Sequence, residues 1–258
     1  LEERRVEKAL ERASFFNFNR KDKFLSITLK IKNKDEASKK VDIASGQTQQ
    51  YITKIHDMIE RNIIKQMGLS AIVVSKTERI QILLCLKKDT QFGVLLEEIY
   101  RNFSDIINRF KDLDFRIGIG RAYEGLENFN NSYLDSLKAI KTGRILNDNI
   151  ITSFENLGIF KILCQDNIEN ELIKFYDSTL KPLVEYDEKK STELVKTLSA
   201  YFDNNGNLKK MSDALFTHYN TVLYRIQRIK EITNMDLENP NDRLNLEIAL
   251  KIKQLLNK

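Results

Sequence analysis

Apolar residues recur along this chain in two periods, and the switch between them organises it. Phe24, Ser26, Thr28 and Lys30 alternate with Leu25, Ile27, Leu29 and Ile31. A period of two rich in β-branched residues predicts a strand. A lysine-rich loop follows. Over residues 48–67, Ile52, Ile55, Ile59, Ile63 and Met67 recur at steps of three or four and Gly68 ends the run, which predicts a helix. Residues 71–75 and 80–86 read as strands of a hairpin turning at Lys76-Thr77-Glu78-Arg79. Val94, Leu95, Ile99, Phe103, Ile106, Ile107 and Phe110 mark a helix over 92–110. A strand at 116–120, a helix over 126–142 ended by Gly143 and a short strand at 150–154 complete this part. Ahead of it, Val6, Ala9, Ala13 and Phe16 form a stripe on a helix over 1–16. That stripe suits either packing on its own domain or a dimerising signalling helix.

The order β-α-β-β-α-β-α-β implies an α/β domain with a mixed sheet and helices on a face. After Phe154 the two-residue period disappears and every periodic segment is helical. The boundaries read as a helix over 1–20, an α/β domain over 21–160, a helical connector over 161–190 and an all-α domain over 191–258. In the last of these, Leu194, Val195, Leu198 and Tyr201 lie on one face of a helix over 192–202. The turn Asp203-Asn204-Asn205-Gly206 follows, and Asn207 is placed to cap a short helix over 208–215. Phe216-Thr217-His218 connects it to a longer helix over 219–233, whose apolar side reads as Val222, Leu223, Ile226, Ile229 and Ile232. A final helix runs over 241–256 behind Pro240.

Two helices joined by about three residues, the second basic, form the helix-turn-helix pattern. The second helix then enters the major groove with its N-terminal residues toward base edges. The candidates there are Thr217, His218, Tyr219, Asn220, Thr221, Tyr224 and Arg225. Arg228, Lys209 and Lys210 suit phosphate oxygens. A helical hairpin with a basic face is equally compatible with a solvated surface, and the pattern alone leaves that reading open.

Composition narrows the partners. The chain has 258 residues, 31% of them charged, and a net charge of +5, which is compatible with nucleic acid without requiring it. No apolar run of 18 residues exists, so no membrane span is expected. The charged start, Leu1-Glu2-Glu3-Arg4-Arg5, is unlike a signal peptide and carries no Met, so the chain is expected to be a piece of a longer, cytoplasmic protein. Cys85 and Cys164 sit in apolar surroundings and are expected to be reduced, buried thiols. His56 and His218 are far apart, and no Cys/His/Asp spacing suits a metal, so no metal or other cofactor is expected.

The stretch from Met211 to Ile229 carries His218-x-Asn220-Thr221, then Tyr224-Arg225-Ile226 and Ile229, and is followed by Pro240, Asp242-Arg243-Leu244 and Leu246-Glu247-Ile248-Ala249-Leu250. It resembles the C-terminal domain of the PucR/CdaR transcriptional regulators. The resemblance implies a DNA-binding transcriptional regulator that contacts operator DNA as a double strand, as a homodimer, under an unknown small-molecule effector. Ala214 and Leu215 match the family's first helix only loosely. Tyr219 and Leu223 stand where the family often has Arg, which weakens electrostatic attraction and alters base preference.

Arg116-Ile117-Gly118-Ile119-Gly120, with Asn131 to Ala139 and Gly143, is similar to the GGDEF-like domain of the same regulators, which resembles diguanylate cyclases. A cyclase of that kind has a Gly-Gly pair on its hairpin and metal-binding carboxylates on its first strand. Here the hairpin has no glycine pair and the strand over 27–31 has no Asp or Glu. Two-metal chemistry needs such carboxylates, so the domain is expected to be catalytically degenerate and the chain not an enzyme. Gly118 and Gly120 are expected to let a helix approach the sheet rather than to hold phosphate. The helix over 131–139 is expected to bury Tyr133 and Leu137. The alternative functions are a ligand-sensing or protein-interaction module whose helix-turn-helix contacts a protein partner, and a residual nucleotide-processing enzyme.

Overall fold

The computed structural model describes residue 18 and residues 21–33, 45–76 and 78–256. The helix expected over 1–16 and the lysine-rich loop of 34–44 lie outside them. Compactness divides the chain into two units, Leu1–Lys161 and Ile162–Lys258.

The first unit is built on strands β1 (Lys23–Asn33), β2 (Ser70–Lys76), β3 (Arg79–Leu86), β4 (Leu113–Ile119), β5 (Tyr123–Glu124) and β6 (Ile151–Ser153). Helix α1 (Ser45–Met58) continues as a π-helical segment (Ile59–Lys65), and α2 (Phe92–Arg109) and α3 (Phe129–Asn147) complete the layers. The sheet order is β2-β3-β1-β4-β6, with β5 beside the start of β1. β1 is antiparallel to β3, pairing Ile27 with Ile82, and to β4, pairing Ile27 with Ile119. β4 and β6 are parallel, so the sheet is mixed. The hairpin closes on Lys76 opposite Arg79.

Strand alternation decides which helix covers which face. Leu25, Ile27, Leu29 and Ile31 are fully buried and cluster with Ile52, Ile55, Ile59 and Ile63 beside Leu95, Ile99, Phe103 and Ile106. This is the main core, between the sheet and helices α1 and α2. Ser26 and Thr28 alternate with these residues and lie on the other face. Both are in fact fully buried, so helices cover two faces rather than one. The cover is α3. Ser132 Oγ accepts the Ser26 N–H at 2.7 Å, and the Thr28 and Ser136 hydroxyls are 2.6 Å apart. Gln81 donates to Ser26 Oγ at 2.6 Å and accepts from Thr28 at 2.8 Å.

A polar layer of this kind needs the helix very close to the sheet, and glycine makes that possible. A Cβ on Gly118 would stand 1.9 Å from the Ser136 carbonyl oxygen, and one on Gly120 would stand 2.0 Å from that of Ser132. Gly143 does not end α3 as its position implied. It lies inside the helix, where a Cβ would meet Thr152 Oγ1 at 2.0 Å, and the helix stops at Asp148 in the left-handed conformation. The buried face of α3 also differs from expectation. It includes Ser132, Asp135, Ser136, Ala139, Ile140 and Thr142, while Tyr133 and Leu137 are half-buried. Buried Asp135 accepts from Arg121 Nε at 2.7 Å and from the Tyr123 hydroxyl at 2.8 Å. Burial, then the Asp135 carboxylate, push the Tyr123 hydroxyl up to about 12. Cys85 is buried, whereas Cys164 is only half-buried.

The second unit is helical. Short α4 (Phe160–Leu163) bridges the boundary, and α5 (Glu169–Thr179), α6 (Lys181–Lys190), α7 (Leu194–Asp203), α8 (Leu208–Ala214), α9 (Tyr219–Thr233) and α10 (Pro240–Leu256) follow. The segment expected to be a connector packs into this unit, α5 against α10 and α6 against α7. Its core contains Leu194, Leu198, Met211, Val222, Ile229, Leu246 and Ile252. Asp187 at the end of α6 accepts the backbone N–H groups of Leu194 and Val195, both at 2.8 Å, and so caps α7 from outside.

Candidate nucleic-acid interface

Helices α8 and α9 are short and long respectively, with residues 215–218 between them. Each start is fixed by a side chain. Asn207 Oδ1 accepts the Lys210 N–H at 3.0 Å, and His218 Nδ1 accepts the Asn220 N–H at 3.2 Å. The connecting turn holds Phe216 at a φ of 50°, a region that bulky residues seldom occupy. The Thr217 N–H returns to the Ser212 carbonyl at 3.0 Å and ties the turn to α8.

The helical repeat separates two faces of α9. Val222 and Ile229 are buried against the unit, and Ile226 is half-buried beside them. Tyr219, Asn220, Leu223, Tyr224 and Gln227 are exposed and lie about 0, 100, 40, 140 and 80° around the axis, one stripe facing outward. Leu223 was expected on the apolar side. Spacing from Val222, Ile226 and Ile229 turns it roughly 100° away, and it joins the outward stripe instead.

The ten sequence-derived candidates fall into three groups. His218, Tyr219, Asn220 and Tyr224 are exposed together around the start of α9, with Thr217 and Thr221 half-buried at its edge. The Asn220 side chain makes no hydrogen bond among the described residues. Lys209 and Lys210 are exposed on α8. Arg225 and Arg228 point away from this stripe. Arg225 Nη2 meets Glu193 at 3.1 Å and its Nη1 donates to Thr197 at 3.3 Å, which fastens α9 to α7. Arg228 pairs with Glu231 at 2.7 Å and lies 5.0 Å over the Tyr186 ring, donating to its hydroxyl at 3.2 Å. Those partners, Glu231 first, raise the Arg228 guanidinium further. Glu193 is held below the usual carboxylate range by Lys196 and Arg225.

Phe216 is a member of this surface that residue type alone did not select. Only its place in the turn, with no apolar partner at helical spacing, marks it in the sequence. Among the described residues no group of three or more His, Cys, Asp or Glu side chains is arranged to hold a metal.

Comparison with known proteins matches both units. The PucR C-terminal helix-turn-helix domain family matches residues 194–252, and the GGDEF-like domain family matches residues 2–142. The proline-responsive transcriptional activator PutR of Bacillus subtilis is 37% identical over 138 residues, 53% of this chain and 34% of that protein. The DNA-binding transcriptional activator AdeR of Bacillus subtilis is 27% identical over 171 residues, 66% of this chain and 40% of that one. The carbohydrate diacid regulator of Escherichia coli is 26% identical over 220 residues, 83% of this chain and 54% of that one. The chain thus spans from about a third to about half of these relatives' lengths. The solved regulator of polyketide synthase expression from Bifidobacterium adolescentis aligns over 92% of this chain and 87% of that one, at a TM-score of 0.34 and 16% identity. With a GGDEF-like domain joined to a PucR C-terminal helix-turn-helix domain, the chain belongs to the PucR/CdaR family of regulators.

Proposed function

We propose that the chain is a DNA-binding transcriptional regulator. The α8–turn–α9 element binds operator duplex, and the α/β unit senses or transmits a signal without catalysing a reaction. The observation that carries this reading is the outward stripe at the start of α9, which the unit leaves uncovered while every buried position of the same helix is packed. In this geometry α8 crosses the backbone and the first turns of α9 enter the major groove. Thr217, His218, Tyr219, Asn220, Thr221 and Tyr224 are then the groove-facing set, with Lys209 and Lys210 toward phosphates. Arg225 and Arg228 act as positioning residues that set the angle of α9.

The protein acts in the cytoplasm as a homodimer, because two half-sites multiply the specificity of one short helix. No described helix is long and apolar enough to cross a membrane. The absence of any carboxylate on β1 favours signal transmission over nucleotide chemistry in the α/β unit, and a small-molecule effector would set its state. The test is fluorescence anisotropy of the chain with duplexes from the region upstream of its own gene, over a series of salt concentrations. Binding that weakens as salt rises supports the reading. Failure to bind any such duplex at low salt overturns it.

A further inference from the structure

The outward stripe of α9 is unusual in its chemistry. Tyr219 is 45% exposed, Leu223 50%, Tyr224 66% and Phe216, in the adjoining turn, 96%. These are four of the large apolar side chains that the structure leaves in water, gathered at one element. Clustered exposed apolar surface marks a contact site rather than ordinary exposure. The arginines that could have supplied charge, Arg225 and Arg228, are turned aside into pairs with Glu193 and Glu231. What remains at the tip is apolar surface around the unengaged amide of Asn220, with the exposed His218 ring beside it.

The major groove offers one large apolar feature, the C5-methyl group of thymine. An asparagine amide matches the N6 and N7 edge of adenine. Both features belong to A·T pairs. We propose that this face selects A·T-rich half-sites, Leu223 and Tyr219 packing on thymine methyl groups while Asn220 takes an adjacent adenine. The proposal rests on the DNA-binding reading above and says which bases that site prefers. Lys209 and Lys210 hold the backbone and contribute no sequence preference.

The experiment first selects duplexes from a randomised library with the chain, then compares each selected duplex with its copy carrying deoxyuridine for thymidine. Uracil keeps the hydrogen-bonding edge and lacks only the methyl. The expected result is an A·T-rich selected motif that loses about fourfold in affinity for each contacted methyl, equivalent to roughly 0.8 kcal/mol. Leu223→Ala should abolish the thymine-over-uracil preference at one position. Leu223 is half exposed, so its thermal transition should stay near that of the parent chain. Equal affinity for the two copies, with binding retained, overturns the methyl contact and leaves DNA binding standing. Failure to select any duplex, together with self-association that Leu223→Ala abolishes, makes the face a protein contact and overturns both.

Discussion

Arg225 separates two accounts of the same motif. If it reads DNA, Arg225→Ala weakens binding and leaves the fold alone. The structure predicts the reverse emphasis. Its side chain is only 19% exposed and spans from α9 to α7. The hydrogen bond to Thr197 is worth about 1 kcal/mol. Thr197 keeps its own bond to the Glu193 carbonyl at 2.8 Å when Arg225 is lost, so no buried hydroxyl is orphaned. Burial of the arginine stem adds roughly another 0.5–1 kcal/mol. The pair with exposed Glu193 is screened by water and adds little. Together these give about 1.5–2 kcal/mol, which lowers the melting temperature of a helical unit of about a hundred residues by roughly 6–16 °C. The assay is thermal unfolding followed by circular dichroism, with DNA affinity measured well below the transition. There, affinity should fall no more than about threefold. An unchanged melting temperature with affinity lost more than tenfold would refute the positioning role and return Arg225 to the groove.

Other expectations follow from the same geometry. Gly120→Ala places a Cβ against the Ser132 carbonyl and should destabilise the α/β unit by about 1–3 kcal/mol in urea unfolding, whereas Gly93→Ala, with open space around it, should not. His218→Ala removes the acceptor that starts α9 and should lower stability by about 1 kcal/mol, with His218→Asn restoring most of it. Tyr123 should titrate near pH 12, read as the ultraviolet difference absorbance that Tyr123→Phe removes. Because folding raises this group above its ordinary value of 10, the stability it confers is complete below about pH 10 and lost as pH climbs toward 12. With Lys209 and Lys210 as the phosphate contacts, the logarithm of affinity should fall with the logarithm of salt at a slope of roughly −2 per protomer.

Much of this molecule could be read in its periodicities. Strong alternation at Leu25 to Ile31 and helical spacing at Ile52 to Ile63 placed β1 and α1, because each pattern corresponds to a buried face. Asn207 and His218 are side chains whose capping chemistry is local, and Asn207 was legible for that reason. What escaped the sequence depended on contacts distant along the chain. Ser26 and Thr28 look like a wet face until Ser132 and Ser136, more than a hundred residues away, are brought onto them. Gly143 looks like a helix stop until Thr152 is seen to need its missing side chain. Arg225 looks like a DNA ligand until Glu193 and Thr197 take its guanidinium. In the candidate site the start of α9 was legible and the direction of its cations was not, because charge announces itself in sequence and orientation does not.

In the proposed complex the outward stripe of α9 is the surface that meets duplex DNA. Backbone amide NMR of the labelled chain, titrated with a selected duplex, tests it most directly. The largest shifts are expected at residues 216–224, with smaller ones at Lys209 and Lys210 and none at the β2–β3 hairpin. Shifts centred on the α/β unit, with residues 216–224 unmoved while the duplex is bound, would contradict it.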